Sequence, residues 1–211
     1  MEPTLNIRDG RAEDGPFLAK NILAAMGYEV FGNAVDPEAA EALPKLAAVC
    51  ARPDTLYSYR RARIAEICYG AGGPAPAPAG SLTSYPGDDY LPLRDYTWIR
   101  FGSRDRWKEV YGDDECEPGE WYLDAMAVVP EWRRHRFSGA IGGETVTDKI
   151  GHLLMQDGIA LARSRGYERV SLIVERSKPR LAAYYADLGF RPARDLTFFG
   201  EPYTRMLLQT K

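Results

Sequence analysis

The chain has 211 residues, a formal net charge of −3 and 27% charged residues, so it has no overall attraction to nucleic acid or to anionic lipid. Its hydrophobic fraction of 45% is that of an ordinary globular protein and excludes wholesale disorder. Three cysteines without CxxC spacing, no signal-peptide pattern and no long apolar run predict one cytoplasmic domain over residues 1–211, without a membrane as partner.

The first half of the chain predicts a strand followed by two helices. Residues 5–8 fit a short strand, and apolar residues at helical spacing before Gly27 predict the first helix. We expect Asp14 to cap that helix. Asp36 followed by Pro37 predicts the start of the second helix, because aspartate caps free amides and proline suits the first helical position.

A hairpin and an aromatic segment follow. Residues 56–69 and 80–85 predict two strands, joined by the turn-rich residues 70–80. The aromatic side chains of residues 88–112, which include Trp107 and Tyr111, predict a partly buried helix. The alternative is that this segment lines a groove for a substrate.

The second half alternates strands and helices. The apolar residues 120–129 predict a buried strand that ends at Pro130. After it come a helix from Ile150 to Gly166, a strand at 170–174, a helix from Pro179 to Gly189, and strands at 190–194 and 203–208. This order predicts an α/β fold with a mixed, splayed β-sheet flanked by helices on both faces.

Arginines lie between the central strand and the next helix. Arg133, Arg134 and Arg136 precede a helix that begins after Lys149, and free amides at a helix start favour a phosphate. The loop contains neither GxxxxGK[ST] nor GxGxxG, which disfavours a nucleotide hydrolase and a Rossmann enzyme. GxSxG does not occur, and the two histidines have no metal-ligand spacing, so we expect neither a serine hydrolase nor a metal site.

Three linked segments, LDAMAVVPEWRR, IGHLLMQDGIALARSRGYERVSLIV and LAAYYADLGFRP, together resemble the GNAT (general N-acetyltransferase) superfamily over residues 121–208. The resemblance implies acetyl-CoA as acyl donor and direct transfer of acetyl to a primary amine of a small molecule or peptide. It assigns acetyl-CoA binding to residues 113–211, suggests acceptor binding by residues 1–112, and is compatible with a homodimer.

The resemblance also implies which residues bind acetyl-CoA. The backbone of Met126 to Val128 would hold the pantetheine arm, and one of its amides would polarise the thioester. The family pattern Arg/Gln-x-x-Gly-x-Gly/Ala is broken here, so either Gly139–Gly142 or Lys149–Gly151 forms the pyrophosphate loop. Residues 136–148 between them predict a mobile insertion that closes over the cofactor. The full predicted set is Met126, Ala127, Val128, Arg133, Arg134, His135, Lys149, Ile150, Gly151 and His152.

Two residues are candidates for proton transfer. Tyr185 resembles the family tyrosine that protonates the departing CoA thiolate, and an aromatic core anchor is its alternative role. Asp124 lies inside the central strand as candidate general base or ammonium anchor, with a structural ion pair to Arg100 as the alternative. Glu120 and Glu175 are lesser candidates.

The amine acceptor is not identified by the sequence. A run of acidic residues could attract a cationic amine, although such runs are usually solvated surface: Asp88, Asp89, Asp113, Asp114 and Glu115. A catalytically silent acyl-CoA sensor or an interaction module on the same fold is the rival functional hypothesis.

Overall fold

A computed structural model describes residues 3–32, 34–101 and 112–210. Among these residues there are nine strands and five helices. The strands are β1 Thr4–Asp9, β2 Ala62–Cys68, β3 Ala77–Pro86, β4 Trp121–Val128, β5 Arg136–Ile141, β6 Glu144–Lys149, β7 Arg169–Glu175, β8 Arg191–Phe198 and β9 Glu201–Gln209. The helices are α1 Gly15–Ala25, α2 Pro37–Cys50, α3 Tyr90–Phe101, α4 Ile150–Ser164 and α5 Pro179–Asp187.

The strands form a mixed main sheet and a separate hairpin. The main sheet has the order β1-β2-β3-β4-β7-β9-β8, and β5 pairs with β6 apart from it. The chain divides into two compact units: unit 1 comprises Met1–Ser84 and Ala125–Leu161, and unit 2 comprises Tyr85–Asp124 and Ala162–Lys211. Each unit therefore draws on both halves of the sequence.

Unit 1 is built on antiparallel strands covered by helices. β1 pairs with β2 from Thr4 opposite Cys68 to Asp9 opposite Arg63, and β2 pairs with β3. Helices α1 and α2 approach each other closely at Gly15, where a Cβ atom would lie 2.9 Å from the carbonyl oxygen of Ala47. An ion pair connects β2 to α4, because the Nε of Arg63 lies 2.7 Å from an Asp157 carboxylate oxygen. The unit's buried side chains include Leu18, Ile22, Leu46, Val49, Ile64 and Leu154.

Unit 2 contains the parallel part of the sheet. β4 pairs in parallel with β7 through Trp121 opposite Val170 and Tyr122 opposite Ser171. β7 and β8 each pair antiparallel with β9. The core of the unit is rich in aromatic side chains, including Tyr85, Tyr90, Tyr122 and Phe190, all of which are fully buried.

Most predicted elements are confirmed within a few residues, and three local predictions are wrong. The strand predicted from residue 56 begins only at Ala62, because Ser58 accepts a hydrogen bond from the Arg60 amide and starts a 3-10 turn. Asp14 does not cap α1; its carboxylate binds the amide of Arg11 and the guanidinium of Arg8.

The third wrong prediction concerns residues 136–148, which were expected to be a mobile insertion in the loop before the helix. They form the hairpin β5–β6, in which Arg136 lies opposite Lys149 and Ile141 opposite Glu144. Gly142 and Gly143 make the turn with φ of 58° and 90°, values that favour glycine and fit a two-residue hairpin turn. Closure of this segment over a cofactor stays a prediction.

The aromatic segment is described in part. Residues of α3, Tyr90–Phe101, form the predicted partly buried helix, with Tyr90 and Thr97 buried and Leu91 and Ile99 exposed. Trp107 and Tyr111 lie outside the described residues. None of the helices in the described part of the chain is long and apolar enough to cross a membrane.

Candidate functional site

In unit 1, the start of α4 packs against the end of β4. Ile150, the first residue of α4, is fully buried and anchors the helix. A Cβ atom placed on Gly151 would lie 3.7 Å from Met126 Cε and 3.8 Å from Val128 Cγ2. The first turn of α4 therefore lies beside the strand segment, Met126 to Val128, that the sequence assigns to pantetheine binding.

The start of α4 combines features of an anion site with one carboxylate: Asp148 accepts a 2.7 Å hydrogen bond from the Lys149 amide and lies 3.8 Å from His152. The first amides of a helix have no carbonyl partner within the helix, and the helix dipole adds partial positive charge there. The first turn of α4 contains no acidic residue, and the exposed Lys149 immediately precedes it. Phosphate groups commonly bind at such a position.

Arginine side chains lie near the end of β4. After the strand, Pro130–Trp132 form a 3-10 turn, and the Nε of Arg133 donates a hydrogen bond of 2.9 Å to the carbonyl oxygen of Val128. Arg134 and His135 are exposed, and the His135 ring packs on Trp132 with ring centroids 5.0 Å apart. Arg133 is thus held beside the same strand end that α4 contacts.

The two candidate pyrophosphate loops lie in different structural elements. Gly139 lies within β5 opposite Val146, and Gly142 lies in the hairpin turn, so neither residue precedes a helix. Gly151, in contrast, lies in the first turn of α4. His152 lies in that turn as well, with its Nε2 atom 3.0 Å from the side-chain nitrogen of Gln156.

In unit 2, Asp124 pairs with a tyrosine rather than with the predicted Arg100. The Tyr85 hydroxyl donates a hydrogen bond of 2.7 Å to Asp124 Oδ2. Although Asp124 is partly exposed, the burial of its carboxyl group raises its pKa well above the usual range. The negative charge of Glu115 raises this pKa further, whereas the hydrogen bond from Tyr85 lowers it. A carboxyl group with a raised pKa is suited to accept a proton near neutral pH.

The two lesser base candidates have structural partners. Glu120 is fully buried and accepts a hydrogen bond of 2.7 Å from the Ser171 hydroxyl, and it pairs with the Arg205 guanidinium. Glu175 lies 2.8 Å from the Lys178 ammonium, and hydrogen bonds to this cation lower the pKa of the carboxyl group. Both side chains are held by structural partners, which leaves Asp124 as the best candidate base.

Tyr185 lies in α5, and its ring packs against aromatic neighbours. Its ring centroid is 5.5 Å from that of Tyr184 and 6.2 Å from that of Phe190. Burial raises the pKa of the Tyr185 phenol to about 12. The phenol therefore stays protonated at neutral pH, as a proton donor must.

A groove of about 410 Å³ lies beside α5. Its lining is mostly apolar and comes from α5 and strands β7, β8 and β9 of unit 2, and it includes Val174, Ala182, Ala186, Pro192 and Met206. The lesser base candidate Glu175 lines this groove, whereas Asp124 and Tyr185 do not.

Sequence reasoning missed the surroundings of Asp124. Glu115 was interpreted as part of a solvated acidic run, but it is buried and accepts a hydrogen bond of 2.7 Å from the Tyr122 hydroxyl. Tyr122 and Asp124 are two residues apart in a strand, which places them on the same face of the sheet. That spacing indicates the shared face but does not reveal Tyr85 or Glu115 as partners.

Comparison with known proteins identifies the fold. No protein-family model and no curated protein sequence matches the chain. Solved structures do match: an acetyltransferase aligns with a TM-score of 0.66 and 23% identity over 98% of this chain and 100% of its own. An N-acetyltransferase from Staphylococcus aureus Mu50 aligns with a TM-score of 0.65 and 16% identity over 96% of this chain and 100% of its own.

A third structure carries the family name. A proposed acetyltransferase of the GNAT family from Desulfovibrio desulfuricans aligns with a TM-score of 0.52 and 14% identity over the full length of both chains. At these identities the similarity concerns the fold. The chain therefore has the GNAT acetyltransferase fold, and the predicted fold class is confirmed.

Proposed function

We propose that the protein is an N-acetyltransferase that transfers acetyl from acetyl-CoA to a primary amine by direct attack in a ternary complex. One observation carries the proposal: the first turn of α4, at Gly151, packs beside Met126 and Val128. A helix start, where phosphate groups often bind, thus lies next to a strand end in a fold shared with acetyltransferases, and this arrangement supports the proposal.

Residues of unit 1 would bind the donor. The first amides of α4 and the guanidinium groups of Arg133 and Arg134 would bind the diphosphate through charge-assisted hydrogen bonds. The backbone of Met126 to Val128 would hold the pantetheine arm, and one amide there would stabilise negative charge on the thioester oxygen during attack.

Residues of unit 2 would move protons. An alkylammonium with a pKa near about 10.4 is not a nucleophile, so the acceptor must lose a proton before or during attack. Asp124 would take that proton. Tyr185 would donate its hydroxyl proton to the CoA thiolate, because a phenol that stays protonated at neutral pH can supply one.

Donor binding is tested at Gly151. A Cβ atom there meets only ordinary van der Waals contacts, at 3.7 Å and beyond, so Gly151→Ala is expected to fold at least as well as the wild type. The added methyl group would nevertheless occupy space at the helix start that the diphosphate needs. We expect acetyl-CoA to raise the melting temperature of the wild type and to bind Gly151→Ala at least about tenfold more weakly by calorimetry.

The control for donor binding is Gly200→Ala, at an open turn with no atom within 4 Å of the new Cβ. It should bind acetyl-CoA like the wild type. Failure of the wild type to bind at saturating acetyl-CoA would refute both the enzyme and the acyl-CoA sensor.

Catalysis is tested with a panel of primary amines and mass-spectrometric detection of the acetylated product. Tyr185→Phe is expected to lower kcat by roughly a hundredfold to ten-thousandfold with little change in the KM for acetyl-CoA. Tyr184→Phe removes a hydroxyl from the adjacent ring and serves as the matched control. Tight acetyl-CoA binding with no acetylated amine in the panel would instead favour the silent sensor.

A further inference from the structure

The end of β3 meets the start of β4 in unit 2 and brings Tyr85 to Asp124. The Gly87 amide, just past β3, donates a hydrogen bond of 2.8 Å to the carbonyl oxygen of Glu120, just before β4. Counting inward along both strands, this alignment places Tyr85 opposite Tyr122, and their ring centroids lie 5.6 Å apart. Asp124 is the next residue on that face of β4, within reach of a long side chain at the diagonal position. The Tyr85 hydroxyl donates a hydrogen bond of 2.7 Å to Asp124 Oδ2.

The surroundings fix the Tyr85 ring. Tyr85 and Tyr122 are fully buried, and the Tyr122 hydroxyl donates a hydrogen bond of 2.7 Å to the buried Glu115. We call Tyr85, Glu115, Tyr122 and Asp124 the Asp124 cluster. Because both rings are enclosed by the core, the Tyr85 hydroxyl has a fixed position relative to β4.

We infer that Tyr85 is a positioning residue: its hydroxyl holds Oδ2 of Asp124 and thereby leaves Oδ1 to take the proton of the acceptor amine. This inference rests on the acetyl transfer proposed above. Among the residues that the structure describes, Oδ1 has no hydrogen-bond partner. Because Tyr85 is fully buried, it acts through the carboxyl group rather than by contact with a substrate.

The first part of the argument concerns orientation. The terminal torsion of an aspartate has a broad, roughly two-fold preference, so a carboxyl group without a fixed donor changes its orientation easily. A hydrogen bond from a phenol that cannot move selects one orientation of Asp124. A general base must lie within hydrogen-bond distance of the proton that it takes, and small misplacements lower the rate strongly.

The second part concerns the charge of Asp124. A base must be deprotonated before it can accept a proton, whereas burial raises the pKa of Asp124 and favours the neutral acid. The hydrogen bond from Tyr85 lowers this pKa, because it stabilises the ionised carboxylate. Tyr85 therefore keeps Asp124 available as a base at a lower pH than burial alone would allow.

Other ionisable groups also interact with Asp124. The negative charge of Glu115 raises the pKa of Asp124, as burial does. Cys116 and Tyr122 are neutral near pH 7, because burial raises the pKa of each. Within the described part of the chain, the Tyr85 hydroxyl is therefore the group that favours the ionised form of Asp124.

The proton transfers balance as follows. An alkylammonium acceptor loses two protons in all, and the first passes to Oδ1 of Asp124 and frees the lone pair on nitrogen. The nitrogen forms a bond to the acetyl carbon, and the carbon–sulfur bond breaks. Tyr185 gives its hydroxyl proton to the CoA thiolate and regains the second proton lost by nitrogen. Asp124 releases its proton to solvent, so that one net proton is released for each acetyl group transferred.

The test is the pH dependence of kcat/KM, whose acid limb reports the base of the free enzyme. Tyr85→Phe is expected to move the acid limb at least about half a pH unit higher, which corresponds to a roughly threefold change in proton affinity. Above the limb, where Asp124 is ionised in both proteins, kcat should be at least about tenfold lower, because the carboxylate is no longer oriented. An acid limb that coincides with that of the wild type, or an unchanged kcat above it, overturns the inference while the acetyltransferase proposal stands.

The matched control is Tyr122→Phe. It removes the same hydroxyl from the neighbouring buried ring, whose hydrogen bond goes to Glu115 and not to Asp124. Its acid limb should not move to higher pH, and an equal upward move in both variants overturns the inference. If Tyr85→Phe does not fold, 3-fluorotyrosine at position 85 replaces it. The fluorine makes the phenol a stronger donor, so the limb should move lower, and an unmoved limb again overturns the inference.

A second readout separates the two proposals. If the wild type acetylates no amine, the proposed function fails, but the effect of the hydrogen bond is still measured by ¹³C NMR titration of the Asp124 carboxyl group, assigned with Asp124→Asn. Tyr85→Phe should then raise the measured pKa of Asp124 by at least about half a unit, and an unchanged pKa overturns the inference.

Discussion

The buried ion pair between Arg205 and Glu120 gives the sharpest stability prediction. Both residues lie in unit 2, with side chains 5% and 0% exposed, and Glu117 adds a carboxylate oxygen 3.5 Å from Arg205. Glu120 also accepts hydrogen bonds of 2.7 Å from the Ser171 hydroxyl and from the Glu117 amide. These two neutral donors orient the carboxylate of Glu120, and among the described residues the cation paired with it is Arg205.

Arg205→Met keeps much of the side-chain volume and removes the cation. Breaking a buried pair leaves one charge without compensation, which costs about 3 to 5 kcal/mol. Because whole domains are stable by only about 5 to 15 kcal/mol, this loss is a large fraction of the total. In urea denaturation followed by circular dichroism, a slope of about 2 kcal/mol per molar would place the midpoint roughly 2 M lower.

Arg176→Met is the surface control. Arg176 lies 3.3 Å from Asp195, but the two side chains are 58% and 63% exposed, and such pairs contribute less than about 1 kcal/mol. The double variant Arg205→Met with Glu120→Gln should recover part of the loss, since it leaves no buried charge. If Arg205→Met costs no more than Arg176→Met, the reasoning from burial is refuted.

Two further variants probe backbone packing and pH dependence. Gly87→Ala should lower the free energy of unfolding by about 2 to 3 kcal/mol, because its Cβ would lie 1.9 Å from the carbonyl oxygen of Glu117. Gly200→Ala, at φ 78° in open space, should lower the free energy of unfolding by only about 1 kcal/mol. Thermal melts of both variants measure the difference, and equal losses would contradict this explanation. Asp124→Asn should gain stability over the wild type as the pH rises from about 4 toward 8, because a carboxyl group whose pKa is raised in the folded state loses its contribution to stability as pH increases. Unfolding free energies that differ by the same amount at both pH values would contradict that sign.

The helix boundaries could be predicted from sequence because local chemistry determines them. Pro37 and Pro179 occupy the first positions of α2 and α5. A residue there makes no hydrogen bond within the helix through its amide, so the missing N–H of proline costs nothing. Gly166 and Gly189 follow the ends of their helices with φ of 81° and 98°, which other residues rarely adopt. Such signals depend on a few neighbouring residues and need no knowledge of the fold.

The hairpin β5–β6 was readable from the sequence but was missed. Its paired glycines, flanked by alternating residues, are a strong hairpin signal. The expectation of a pyrophosphate-binding loop between the central strand and the next helix favoured the wrong interpretation. The short strand before Gly142 buries Phe137, Gly139 and Ile141 in alternation, as period-two patterning requires.

The Asp124 cluster could not be derived from sequence. Its hydrogen bond joins Tyr85 to Asp124 across 39 positions, and local spacing carries no information about that separation. Glu115 stands among aspartates that are exposed, so composition alone suggests a hydrated surface. Only the folded structure shows that Glu115, one member of the acidic run, lies inside the protein.

The hairpin has a practical consequence for protein engineering. Because Arg136 and Lys149 lie opposite each other, the two ends of the segment are only about 5 Å apart. One or two glycines can bridge that gap, so the whole segment can be cut out and the flanking residues, His135 and Ile150, rejoined without stretching the backbone. A segment exchanged into this position would need apolar side chains in place of Phe137 and Ile141, because both are buried here.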